Sequence, residues 1–145
     1  MLDKKLLGAI KMKNKKTKKT APSIDKWLQE AKSDPEALKE GMYLVHNGIV
    51  RQTSRAKARH GVEDDDVKGM DFDYDSEKVE QAIAETKKME GVFHARVWLN
   101  QGQLELGEDI MYVLIGGDIR PHVIDALQFL VGKIKNECVK EIEKK

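Results

Sequence analysis

The stretch IMYVLIGGDIRPHVIDALQFLVGKIK, residues 110–135, is the most strongly patterned part of the chain. Its first eight residues carry no polar side chain except that of Tyr112. Such a run predicts a central strand, buried on both faces. Two glycines and Asp118 then break it, and Pro121 falls where the first turn of a helix accepts a proline. Beyond it Val123, Ile124, Leu127, Leu130, Val131 and Ile134 recur at helical spacing. A buried strand followed by an amphipathic helix implies a mixed domain, and the remaining elements decide its kind.

Upstream, MYLVHNGIVR (42–51) is apolar and β-branched enough for a strand, with Asn47 and Gly48 marking a bulge. MDFDYD (70–75) alternates apolar and acidic residues. It predicts a short edge strand with Asp71, Asp73 and Asp75 turned to water rather than gathered on a metal. Ser76 is placed to cap the helix EKVEQAIAETKKM (77–89), whose buried stripe is Val79, Ala82, Ile83 and Thr86, with Gly91 as its stop. VFHARVWL (92–99) is another strand. QTSRAKARHGVEDDDVKG (52–69) reads as a long exposed loop, NQGQLELGED (100–109) as a turn-rich connection, and the terminal EIEKK as a frayed end. The order β, β, α, β, β, α does not alternate regularly. It predicts an α+β domain with a mostly antiparallel sheet and two main helices.

Ahead of this domain, placed at residues 41–145, two short helices form a lead-in over residues 23–40. Ser23 caps one; Asp34 and Pro35 open the other and Gly41 ends it. Residues 1–22 read as a basic, flexible tail. The first 20 residues hold eight lysines against one acid, Asp3, so the rest of a chain of net charge +1 carries −6. A lysine-rich tail can meet nucleic acid, and such binding would fall steeply with salt. No aromatic residue interleaves these lysines to stack on bases, so nucleic acid is not the expected partner. One cysteine, Cys138, excludes an internal disulfide and fits a reducing, cytoplasmic setting. No apolar run reaches membrane-spanning length, and LLGAI near the start is too short for a signal peptide.

Nucleotide-binding loops, CxxC and HExxH are absent. The histidines at 46, 60, 94 and 122 lack metal-ligand spacing, so no metal or other cofactor is expected, and His46 and His94 read as satisfied strand histidines. What remains is cationic: Arg51 at the end of the first strand, Arg120 before the last helix, and Lys135 within it. A guanidinium suits phosphate or carboxylate oxygens, and a lysine can be a point charge or a proton donor.

The ordered set GMYLVHNGIVR, GQLELGEDIMYVLIGG and DIRPHVIDALQFLVGKIK, within residues 41–140, resembles the large, catalytic subunit of molybdopterin synthase. The resemblance implies an α+β fold and a role in molybdenum cofactor biosynthesis. It implies a homodimer that binds a small ubiquitin-like sulfur carrier ending in Gly-Gly. A thiocarboxylate on that carrier would pass sulfur to a cyclic pterin phosphate. By position, Arg51 and Arg120 would bind substrate, Lys135 would be catalytic, and Lys140 would stand in for a second family lysine. Two departures accompany it: Ile119 occupies the place of the family's histidine in an H-R pair, and the P-x-W-K segment is missing. A non-catalytic relative that binds a pterin or a ubiquitin-like carrier is the alternative.

Overall fold

The computed structural model describes residues 16–145. The elements are α1 (Ile24–Lys32), a 3-10 turn (Pro35–Lys39), β1 (Met42–Ile49), α2 (Arg55–His60), β2 (Gly69–Tyr74), α3 (Ser76–Lys87), β3 (Val92–Leu99), β4 (Gly102–Glu105), β5 (Asp109–Gly117), α4 (Arg120–Lys133), a π-helical turn (Ile134–Cys138) and β6 (Val139–Lys144). Two three-stranded antiparallel sheets result, in the orders β1-β5-β3 and β4-β2-β6. The fold is α+β, as the order of elements predicts.

β5 is the centre of the first sheet. Met111, Val113 and Ile115 pass into the main core with Val123, Ala126 and Leu130 of α4 and Val79 and Ala82 of α3. The alternate residue Leu114 is covered on the other side by Trp27 and Ala31 of α1. Strand side chains point alternately to the two faces, so a strand covered on both must be apolar at every position. The lead-in helix is therefore the second wall of the sheet. Its capping follows the sequence: the Ser23 hydroxyl accepts from Lys26 N. The second lead-in element is a 3-10 turn, opened by Asp34 and Pro35. The bulge predicted in β1 lies between Gly48 and Ile49.

Several local expectations are corrected. The 52–69 segment contains α2, capped by Ser54 and ended by Gly61 in the left-handed conformation. The 100–109 connection contains β4, which pairs with β2. Asp75, not Ser76, caps α3, accepting from Glu77 N and Lys78 N. The C-terminus does not fray: β6 pairs with β2 from Tyr74↔Val139 to Gly69↔Lys144. Consequently β2 is a central strand, and Asp71 is buried and ion-paired to Lys144 at 2.8 Å. An acid on a face expected to be wet is tolerated there because a cation from the neighbouring strand meets it. His94 is not satisfied either, since its Nε2 is buried without a hydrogen-bond partner. Burial first, then the charge of Lys87, lowers its pKa.

The basic tail lies mostly outside the described residues. Within them, Lys16 reaches Asp73 at 2.7 Å, Lys18 reaches Glu108 at 2.7 Å, and Lys19 donates to Tyr74 Oη at 2.7 Å. This short stretch is held along β2 and the β4–β5 turn.

Candidate functional site

Three cations from separate segments meet at one cavity of about 190 Å³. Arg51 follows β1, Arg55 opens α2, and Lys135 stands on the π-helical turn after α4. The Arg51 side chain is oriented by donation from Nε to Thr53 O at 2.9 Å. The wider turn interrupts the ordinary helical rise of α4 just where Lys135 projects, as π turns often do at functional positions.

β6 supplies the counter-charges. Glu141 Oε2 accepts from the Arg55 guanidinium at 3.0 Å and lies 3.3 Å from Lys135 Nζ. Its side chain is only 8% exposed, against 49% for Arg55 and 33% for Lys135. Glu143 accepts from the Arg55 backbone N at 2.9 Å. Three cations against two carboxylates leave a cationic cavity whose arginine and lysine are held in place.

Lys135 also lines a second cavity, of about 420 Å³, with His46, Arg59, Gln128, Val131 and Asn136. Lys135 thus lines two recesses. Burial lowers the pKa of His46, and the charge of Lys135 acts in the same direction.

The other two candidate residues lie elsewhere. Arg120 is the exposed first residue of α4. Fifteen residues at 1.5 Å each put it roughly 20 Å from Lys135 along the helix. Lys140 lies on β6 between Val139 and Glu141 and lines a different cavity, with Asp73, Tyr74 and Cys138. Strand alternation turns it away from the face on which Glu141 and Glu143 meet Arg55. Ile119 is the N-cap of α4, about half exposed, and offers the helix no side-chain hydrogen bond.

The pattern of the family described as MoaE protein matches residues 17–137. This chain belongs to the MoaE family. Its place is therefore molybdenum cofactor biosynthesis, as a large subunit of molybdopterin synthase. The MoaE protein of molybdopterin biosynthesis from Burkholderia ambifaria has the same fold at TM-score 0.64 and 14% identity, over 86% of this chain and 84% of that one. Molybdopterin synthase from Staphylococcus aureus aligns at TM-score 0.58 and 17% identity, over 72% and 74%. A complex of subunits 1 and 2 of the molybdopterin-converting factor from Helicobacter pylori aligns at 0.59 and 17%, over 85% and 79%. A search of curated proteins returned no match. Among the described residues no helix is long and apolar enough to cross a membrane, and no cluster of three or more His, Cys, Asp or Glu can hold a metal.

The MoaE-type resemblance singled out Arg51 and Lys135, and these two share a cavity. It did not single out Arg55, Glu141, Glu143 or His46. The serine cap before Arg55 and the glycine stop at 61 were a usable helix signal. Glu141 and Glu143 carried none, because in VKEIEK the acids point into the site and Ile142 points out, 42% exposed.

Proposed function

We propose that this large subunit transfers sulfur in its cytoplasmic setting, and that the Arg51–Arg55–Lys135 cavity is where it does so. The observation that carries the reading is the convergence of three cations from three chain segments on one recess in a MoaE-family fold. The substrate class that suits it is a cyclic pterin phosphate. Arg51 and Arg55 offer planar donor forks for phosphate oxygens, and Lys135 offers a point charge. The second anion is the thiocarboxylate at the Gly-Gly end of a small ubiquitin-like carrier. The two-subunit complex from Helicobacter pylori supports a small partner of this kind. Charge fixed before substrate arrives stabilises negative charge that develops on oxygen or sulfur during transfer.

Arg120 enters this reading only through a second copy of the chain. At roughly 20 Å along a rigid helix it does not reach its own Lys135. A homodimer, paired with two carriers as a heterotetramer, is the assembly that would bring it to a site. Lys140 keeps no role beside Lys135, because β6 turns it to the opposite face.

Reconstitution tests the proposal: purified protein, thiocarboxylated small subunit and cyclic pterin phosphate, with dithiolene product as the readout. Product is expected with the wild-type chain and loss of at least 10²-fold with Lys135→Ala. Carrier binding without product would favour a non-catalytic relative. Ile119, with no proton to transfer, and the two carboxylates of β6 within the cationic cavity are the observations on that side.

A further inference from the structure

We infer that His46 is the proton acceptor of the sulfur-transfer reaction, acting on a water beside Lys135, the residue that its own cavity and the Arg51–Arg55 cavity have in common; the inference rests on the reaction proposed above. A thiocarboxylate that gives up its sulfur ends as a carboxylate, so its acyl carbon takes an oxygen from water. The water O–C bond forms and the C–S bond breaks. The electron pair leaves with the sulfur, which has by then bonded to the pterin carbon as an oxygen substituent departed from that carbon. One water proton must be accepted as the O–C bond forms, and the second is released when the new carboxylic acid ionises. No group is oxidised or reduced.

The side chains around Lys135 differ in their fitness for that proton. The guanidinium groups of Arg51, Arg55 and Arg59 and the Lys135 ammonium have no lone pair to offer. Glu141 is held between Arg55 and Lys135, and Glu143 by the Arg55 backbone N. His46 is different. It projects from β1 into the second cavity that Lys135 lines, where Arg59 of α2 and Lys135 are the charged lining residues. α4 contributes Leu127, Gln128 and Val131 there, the π-helical turn adds Asn136, and no carboxylate is among the described residues of that lining. In β5 its register partner is Val113, also uncharged. A half-buried imidazole among cations stays neutral near pH 7, since burial and Lys135 both lower its pKa. The neutral ring keeps one nitrogen as an acceptor.

The test is single-turnover sulfur transfer from the thiocarboxylated small subunit to cyclic pterin phosphate, from pH 5 to pH 9. Wild type, His46→Gln and Lys135→Ala are compared. Wild-type rate should rise with pH through a pKa below 6.5 and then level. His46→Gln should be about 10²-fold slower on the plateau, should lose that rise, and should bind the carrier as wild type does. In parallel, NMR titration of the His46 ring should move upward in Lys135→Met. His46→Gln with wild-type rate and profile, alongside inactive Lys135→Ala, would overturn the role of His46 and leave the sulfur-transfer reading standing. Carrier binding lost in His46→Gln, or a His46 titration indifferent to Lys135→Met, would also overturn it. No product from the wild-type chain would overturn both.

Discussion

Glu141 and Lys135 are joined across the reversal between the π-helical turn and β6, with Oε2 and Nζ 3.3 Å apart. Arg55, 86 residues away in sequence, shares the same carboxylate oxygen at 3.0 Å. One acid from the terminal strand therefore sets the position of two cations of the candidate site. Glu141→Gln removes the charge and keeps the shape. Because Arg55 and Lys135 remain partly exposed, the expected loss of stability is about 1–2 kcal/mol, less than for a fully buried pair. The two cations, no longer neutralised, should bind inorganic phosphate more tightly. Urea unfolding and calorimetric titration of phosphate measure the two effects.

The pair at the start of α4 predicts a pH dependence. His122 Nδ1 and Asp118 Oδ1 are 2.7 Å apart. This contact raises the His122 pKa above its ordinary 6.5 and, seen from the other side, lowers that of Asp118 below 3.8. The raised histidine stabilises the fold fully below 6.5 and ceases to do so as pH climbs through its folded value. The lowered aspartate stabilises above 3.8 and ceases to as pH falls through its folded value. The difference in urea midpoint between wild type and His122→Gln should therefore be greatest between about pH 4 and pH 6.5. It should shrink by pH 9, a series that a fluorescence-monitored titration records.

Gly91 lies under that same pair. Its φ is +77°, and a Cβ there would run into Asp118 Oδ1 and His122 Nδ1. Gly91→Ala meets both the left-handed backbone penalty, about 1–2 kcal/mol, and this collision. A loss of about 2 kcal/mol or more is expected, measured by thermal or urea unfolding. Since Asp118 N donates to Gly91 O at 2.9 Å, weakened protection of the Asp118 amide in hydrogen exchange should accompany it.

Tyr43 should be a tyrosine that ionises late. Burial, then its 2.7 Å hydrogen bond to Glu40 Oε2, pushes its pKa up to about 12. Ultraviolet titration should show a phase near pH 12 that Tyr43→Phe removes. That variant also takes the hydroxyl from Glu40, whose Oε1 is already buried without a partner. The Glu40 pKa, raised by burial and held down by Tyr43, should rise further. Stability should fall by about 1 kcal/mol.

How much of this was legible in the chain follows from what each residue answers to. β5 could be read directly, because a strand walled on both faces tolerates no polar interruption, and the stripe of α4 follows a period that local geometry imposes. Caps such as Ser23 and Asp34 were legible for the same reason, since their partners lie two or three residues away. Arg51 and Lys135 could be nominated through family resemblance, but nothing in their spacing said that they meet.

The terminal EIEKK reads as a frayed end because its polarity matches neither a core strand nor a helix face. Pairing with β2 makes it a strand, and the charges of Arg55, Lys135 and Lys144 help to make a place for Glu141 and, on β2, for Asp71. By itself, then, the sequence determined the α+β class, the buried central strand and the helix that covers it, because burial and periodicity are written in neighbouring residues. The tertiary structure alone decided which cations share a cavity, that Arg120 and Lys140 stand apart from it, and that His46 and Lys135 line one recess, because long-range strand pairing sets distances that no local pattern encodes.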